Sequence, residues 1–289
     1  MLSWKFTVFS KMSIFQEPKI DCHNHIFDPA SFPYQVDAPY KPSFHEITSA
    51  DYFSAVMDAY GITNALIVGP NSGYGEDDNR ALVDAVARDR QRFKGMAVVS
   101  SRVTDKELQA LKEQGMVGVT FNIAFYKEGH FAHAESLMKR LYALGMFAQF
   151  QFEGDQLLKY AELLKQTPAT VVIDHCGRPD VAKGLNSEAF KLLLELGRRT
   201  NHYIKLSGMA KFSQEPFPFE DTRPFVYALL QAFGENRVIW GTDWPFLKAS
   251  QRIDLGALLM LYAQWFPDPT VRAKLFRENA ERLFGFAQG

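Results

Sequence analysis

The stretch Lys19–His25 reads K-I-D-C-H-N-H, and the rest of the chain is organised around it. The run reads as a short strand, and side chains in a strand alternate between faces. His23 and His25 therefore point the same way. Two imidazoles aimed at one spot can bind a metal ion or polarise a carbonyl. A pair of surface histidines would look the same on these residues alone, because short histidine spacings are weak motifs. The later segments of the chain decide between them.

Outward from this stretch, a Pro- and aromatic-rich loop runs over Phe27–Phe44, longer than a connector needs. Long loops in compact domains are often functional. A helix is then expected over Ser49–Tyr60, with Thr48 or Ser49 as N-cap and Gly61 as its stop. A buried strand follows at Ala65–Val68, a Gly/Asn/Asp-rich loop at Gly69–Asp77, and a helix at Asp78–Arg90. The alternation repeats, with strands expected at Met96–Val99, Val117–Phe121, Phe147–Phe152, Val171–Asp174, Tyr203–Leu206 and Val238–Trp240. The intervening helices fall at Thr104–Gln114, Ala134–Leu144, Asp155–Lys165, Ser187–Arg198 and Phe225–Phe233. Leu255–Trp265 and Val271–Phe284 close the chain. Continuous apolar strands suit a parallel sheet buried on both faces. Eight β-α units in sequence predict an α/β fold of the (β/α)8 TIM-barrel type. A doubly wound open sheet is the competing fold, but it usually brings an early Gly-rich phosphate loop, and none is present.

Composition agrees. The 289 residues, 47% hydrophobic, fit a single large barrel domain over 19–289, with 1–18 as an N-terminal extension in which Met12 is a candidate natural start. Lys+Arg 32 against Asp+Glu 33 leaves no basic field for nucleic acid or an anionic membrane. No apolar run of about 18 residues or more exists, and the first residues lack a continuous signal-peptide core. The two cysteines, Cys22 and Cys176, cannot form a disulfide framework and are expected as buried thiols of a reduced, cytoplasmic protein.

In such barrels the active site lies at the carboxyl ends of the strands. The polar residues there are His23 and His25 after strand one, and Asn71, Ser72 and Tyr74 after strand two. Strand four adds Asn122 and Tyr126. Strand five adds Gln149, Gln151 and Glu153, and strand six adds Asp174, His175 and Arg178. Strand seven adds Ser207 and Lys211, and strand eight adds Thr242, Asp243 and Trp244. Three of the seven histidines thus converge with Asp243 on one mouth. The other four (His45, His130, His133 and His202) fall in loops or at helix edges, where a solvated surface role is expected. Each site residue has a plainer alternative. His175 can cap a strand end, Asp243 can be a turn residue set by Pro245, Arg178 can pair with Asp180 on the surface, and Tyr40 and Trp244 can be packing aromatics.

Together these residues resemble the amidohydrolase superfamily, its amidohydrolase-2 branch, and within it the 2-pyrone-4,6-dicarboxylate hydrolases and related lactonases. The carrying motifs are I-D-C-H-N-H-I-F at Ile20–Phe27, V-V-I-D-H-C-G-R-P-D at Val171–Asp180, V-I-W-G-T-D-W-P at Val238–Pro245, and N-A-E-R-L-F-G at Asn279–Gly285. The resemblance implies a catabolic hydrolase that opens a lactone. His23, His25 and His175 would surround the scissile carbonyl, and Asp243 would be the general base for water. Tyr40 would contact substrate, and Arg178 matches an arginine just after the strand-six histidine. By their strand-end positions, Ser72, Tyr74, Asn122, Tyr126, Lys211 and Trp244 are further candidate substrate contacts. The pattern departs where the pyrone hydrolases carry carboxylate-holding arginines. Thr120 and Tyr126 stand after strand four and Lys211 after strand seven, and lysine keeps the charge but loses the bidentate fork. A lactone less charged than a pyrone dicarboxylate is expected.

Lactone hydrolysis needs a base for water, donors for the oxyanion and a proton for the leaving oxygen. Asp243 can serve the first and third, and imidazole N–H groups the second. A metal would polarise the carbonyl more strongly. Binuclear members of the resembled superfamily also use a strand-five histidine and a strand-four lysine or glutamate. Here those strands offer only Asn122, Gln149 and Gln151, so the resemblance implies no second-metal set. The expectation is no required cofactor, or a single weakly held zinc-like divalent ion on His23, His25, His175 and Asp243. The expected partner is a small lactone or carboxylate, with no nucleic acid and no membrane, and with a homodimer as the candidate assembly. A lactone isomerase or zinc-dependent decarboxylase of the same superfamily is the alternative, and a non-catalytic binding barrel the third reading.

Overall fold

The computed structural model of the chain describes residues 13–287. Eight parallel strands form one sheet in sequential order. They are β1 (Lys19–Asn24), β2 (Ile62–Val68), β3 (Phe93–Ala97), β4 (Met116–Phe121), β5 (Phe147–Phe150), β6 (Val171–Ile173), β7 (Tyr203–Lys205) and β8 (Val238–Ile239). Between them run α1 (Ala50–Ala59), α2 (Arg80–Arg88), α3 (Asp105–Glu113), α4 (Ala134–Ala143), α5 (Ala161–Gln166), α6 (Glu188–Arg199) and α7 (Arg223–Phe233). After β8 come α8 (Leu255–Trp265), α9 (Pro269–Ala273), a π turn (Lys274–Glu278) and α10 (Asn279–Phe284). This is the expected (β/α)8 barrel.

Two helices differ from expectation. The segment after β5 begins as a 3-10 helix over Gly154–Tyr160 before α5, so its side chains do not keep the α-helical period throughout. The last expected helix is divided by the π turn. Capping follows the chemistry of the short polar residues. Ser49 accepts from Tyr52 N at 3.2 Å to start α1, and Thr104 and Glu107 form a reciprocal box at the start of α3.

The barrel closes between β1 and β8 by backbone bonds. Cys22 N–H donates to Trp240 O at 3.0 Å, Asp243 N–H to His23 O at 2.7 Å, and His25 N–H to Trp244 O at 2.9 Å. Asp21 ties the same seam. Its carboxylate accepts from His23 N at 3.0 Å, Thr242 N at 2.9 Å and Thr242 Oγ1 at 2.6 Å. Burial pushes this carboxyl up to about 6, against the pull of the Thr242 bonds. The seam sets His23 and His25 beside Asp243.

A cluster of buried apolar residues joins Ile20, Cys22, Leu66, Met96, Val172 and Ile239 to Phe284 and Phe286. Phe147 and Tyr203 pack against it. Two residues further along their strands stand Gln149, Asp174 and Lys205, all fully buried. Strand alternation points them the same way, so an apolar base gives way to a polar layer toward the carboxyl ends. Both cysteines are free and buried, as expected, and burial pushes the Cys176 thiol up to about 12.

His202 corrects an expectation. It is buried, not solvated, with its Nε2–H on Leu164 O at 2.7 Å, because the turn before β7 tucks against α5. Met12, read as a candidate start, lies outside the described residues, as do residues 1–11. Residues 13–18 lie against the barrel, with Ile14 in its core and Glu17 paired to Arg272 at 2.6 Å. No helix among the described residues is long and apolar enough to cross a membrane.

Candidate active site

At the carboxyl ends of the strands a cavity of about 280 Å³ opens. Its floor carries His23, His25, His175 and Asp243, and its walls include Ser72, Asn122, Arg178 and Lys211. All eight come from the residues singled out in the sequence. Asp243 is the centre of the group. Its Oδ1 lies 3.5 Å from His175 Nε2 and 3.8 Å from His23 Nε2, and its Oδ2 lies 2.8 Å from Lys211 Nζ.

The local backbone is unusual at two of the floor residues. His175 (φ 49) and Asp243 (φ 63) both occupy the left-handed region, as do Cys176 and Arg178. Non-glycine residues seldom sit there, and functional sites are where such strain concentrates. Neighbouring glycines make room for the ring of His175 and for the backbone of His23. A Cβ on Gly208 would stand 2.5 Å from His175 Nδ1, and one on Gly241 would stand 2.7 Å from His23 Cβ.

The three imidazoles are not equivalent. Burial lowers the pKa of all three, and for His23 the nearby Lys205 adds to it, so they are held neutral. His25 Nδ1 lies 2.8 Å from Val68 O. A carbonyl can only accept, so this nitrogen carries the proton and Nε2 presents a lone pair to the cavity. The expected N–H donor role is therefore not open to the neutral His25 ring. His175 Nδ1 meets Ser207 Oγ at 3.1 Å, and its buried Nε2 has no hydrogen-bond partner among the described residues. When Ser207 donates, that Nε2 carries a proton.

Beneath His23 lies a network that sequence reasoning did not assemble. Lys205 Nζ donates to Gln149 Oε1 at 2.7 Å and pairs with Asp174 Oδ1 at 2.9 Å, and Gln149 Nε2 donates to Asp174 Oδ2 at 2.9 Å. His23 Nδ1 lies 3.2 Å from both Asp174 Oδ1 and Lys205 Nζ. It faces one acceptor and one donor at equal distance. Which of them it engages sets whether Nε2 carries a proton or a lone pair. The signal in the sequence was a single lysine inside an apolar strand.

Four of the residues expected to contact substrate stand outside the cavity lining. Tyr74 is buried among Phe27 and Tyr34, and its Oη accepts from Asp28 N at 3.0 Å. Tyr126 stacks on His130 and accepts from the Asn71 amide, which in turn accepts from Asn122. Trp244 donates through Nε1 to Thr48 Oγ1 at 3.1 Å. Tyr40 donates to Glu46 Oε1 at 2.6 Å. Burial and that carboxylate push its phenol up to about 12, so it keeps its proton. Arg178 pairs with Glu153 at 2.9 Å, not with Asp180. The lining also includes Gln151, Phe125 and Lys248, and Lys248 comes from a loop with no sequence signal.

Two overlapping groups of residues, sharing His23, could hold a metal ion. Ligand atoms of His23, His25 and Asp243 lie within 4.8 Å of one another, as do those of His23, Asp174 and His175. The lone pair of His25 Nε2 is the kind of nitrogen donor that zinc-like ions take, and His175 Nε2 becomes one only when its Nδ1 carries the proton and donates to Ser207.

A (β/α)8 barrel with buried histidines around one aspartate at its carboxyl mouth defines a hydrolase-type centre. The amidohydrolase family model matches residues 20–286, and the chain belongs to that family. It is 34% identical over 274 residues to a 4-sulfomuconolactone hydrolase of Rhizobium radiobacter, covering 92% of this chain and 89% of the relative. It is 31% identical over 280 residues to a 2-pyrone-4,6-dicarboxylate hydrolase of Comamonas testosteroni, with 92% and 89% covered. Among solved structures it is similar to a protein of Acinetobacter baumannii described as a probable 2-pyrone-4,6-dicarboxylic acid hydrolase, with citric acid bound. The TM-score is 0.83, at 26% identity, over 93% of this chain and 99% of the other.

Proposed function

We propose that the protein is a lactonase that opens the cyclic ester of a small anionic catabolic intermediate. The observation that carries this reading is the position of Asp243, with Oδ1 facing the Nε2 atoms of His175 and His23 and Oδ2 held by Lys211. Asp243 Oδ1 takes the proton of an attacking water. With Ser207 donating to His175 Nδ1 and Lys205 to His23 Nδ1, the Nε2–H groups of both rings receive the growing oxyanion, and removal of one such donor typically costs on the order of 100–1,000-fold in rate. The proton held on Asp243 then passes to the departing ring oxygen, which completes opening without a free hydroxide.

The lining supports one anionic substituent better than two. Its cations are Arg178, Lys211 and Lys248, and the first two already face Glu153 and Asp243. The wall after β4 offers Asn122 and Phe125, with no cation. A cavity of about 280 Å³ is at the small end of ligand pockets. Both hydrolase relatives are named for lactones that carry acidic groups.

A divalent ion, when bound, would be held by His23, His25, His175 and Asp243, and would polarise the carbonyl as a Lewis acid. The lone pair on His25 Nε2 is the feature that favours it. The test is proton release from a panel of carboxylated, sulfonated and neutral five- and six-membered lactones, before and after chelator treatment with metal analysis. Faster opening of the singly charged members is expected. No opening of any lactone, with or without added zinc, would overturn the proposal.

A further inference from the structure

Lys248 lies in the loop that follows β8, at the edge of the cavity, with a left-handed backbone (φ 55). One buried carboxylate holds it there. Glu46 accepts from Lys248 N at 2.9 Å, from Tyr40 Oη at 2.6 Å and from Ser43 N at 3.3 Å. Burial opposes the charge of Glu46, yet the Tyr40 hydroxyl and the two backbone donors hold its carboxyl below the usual range. The loop after β1 and the loop after β8 are thus tied at a single ionised group.

The ammonium of Lys248 rests on aromatic faces. It is 4.3 Å from the centroid of Tyr40 and 5.9 Å from that of Phe125. Three loops, after β1, β4 and β8, therefore meet at this one cation. Arg178 is paired with Glu153 and Lys211 with Asp243. Among the described residues, Lys248 is the lining cation with no carboxylate at ion-pair distance. Ring faces position a cation without neutralising it, so its charge stays available to an anion entering the cavity.

We propose that Lys248 is the specificity-determining residue of the site, binding the carboxylate or sulfonate substituent of the lactone at the cavity mouth while the ring carbonyl faces Asp243. Glu46 and Tyr40 are positioning residues that fix where that charge stands. The proposal rests on the lactonase reading and names which part of the substrate the mouth selects. It also gives Tyr40 a function without direct contact to the reacting atoms.

The test compares wild type, Lys248→Met and Lys248→Arg on two probes, a butenolide bearing an acetate arm and the same butenolide bearing an acetamide arm. Turnover is followed by proton release, and affinity by calorimetry. For the acetate lactone, Lys248→Met is expected to raise KM and Kd by about tenfold or more, with kcat within about threefold. Lys248→Arg is expected to restore most of the loss, and the acetamide lactone to be indifferent to all three forms. Equal KM and Kd for wild type and Lys248→Met on the acetate lactone would overturn the proposal. So would an equal loss on both lactones, which would mark a merely structural role. A wild type that neither opens nor binds either probe, while opening other lactones of the panel, would overturn this assignment and leave the lactonase reading standing.

Discussion

The floor and the mouth of the site are built in opposite ways. The floor is dry. His23 on the floor rests on Gln149, Asp174 and Lys205 beneath it; the four come from or just follow β1, β5, β6 and β7, all are buried, and they are joined in one hydrogen-bonded network. The mouth is wet. Tyr40, Phe125 and Lys248 come from three loops, Phe125 and Lys248 are exposed, and one carboxylate, Glu46, joins two of those loops. The floor owes its geometry to strand alternation, which leaves little freedom to a side chain. The mouth owes its geometry to a few local bonds that a change of loop sequence can rewrite. Barrel enzymes vary chemistry and substrate through loops on a fixed scaffold, and here the division runs between neighbouring residues of one cavity.

This contrast is open to direct challenge at the floor. Lys205→Met removes the ammonium from between Asp174 and Gln149 and leaves a buried carboxylate without its ion-pair partner. Loss of one member of a buried pair costs about 3–5 kcal/mol, and urea unfolding should show a loss of that size together with loss of turnover. A change below about 1 kcal/mol would mean that the floor is not the rigid part of the site. Gly208→Ala attacks the floor more locally, because a new Cβ would stand 2.5 Å from His175 Nδ1 at a glycine with φ 67. Displacing the ring by such an amount is expected to lower kcat on the order of 100-fold while circular dichroism still reports the fold. Full activity in that variant would remove His175 from the chemistry. The mouth gives the smallest structural effect. Lys248→Met touches no buried bond of the side chain and, losing its contacts with the ring faces, should shift unfolding free energy by no more than about 1 kcal/mol, whatever it does to KM. A larger loss would erase the distinction between the two regions.

Much of this was readable in the chain. The eight-fold alternation located every strand, because buried parallel strands are short apolar runs between helices with clear stops. His23, His25, His175 and Asp243 were legible for the same reason, since the carboxyl end of a barrel strand places a residue at the mouth end. Tyr74 and Trp244 share that address, yet face other partners, Asp28 and Thr48. Position after a strand fixes which end of the barrel a residue occupies, not which way its ring turns. Lys205 was passed over because a lysine inside a strand is read by its charge as a surface residue, while its role depends on Asp174, a residue brought near only by the barrel. Lys248 and Glu46 are far apart in sequence and meet across two loops, so no spacing announces them. The donor role of His25 failed on a single atom, the carbonyl oxygen of Val68, which no pattern of side chains records.

The central claim is that Asp243 is the base of a lactone-opening reaction, and Asp243→Asn tests it most directly. The substitution keeps the size of the side chain while removing its ability to take a proton from water. Measured on the lactone that wild type opens fastest, kcat should fall by roughly 100- to 10,000-fold, with calorimetric Kd changed by less than about tenfold. Turnover equal to that of wild type would contradict the account.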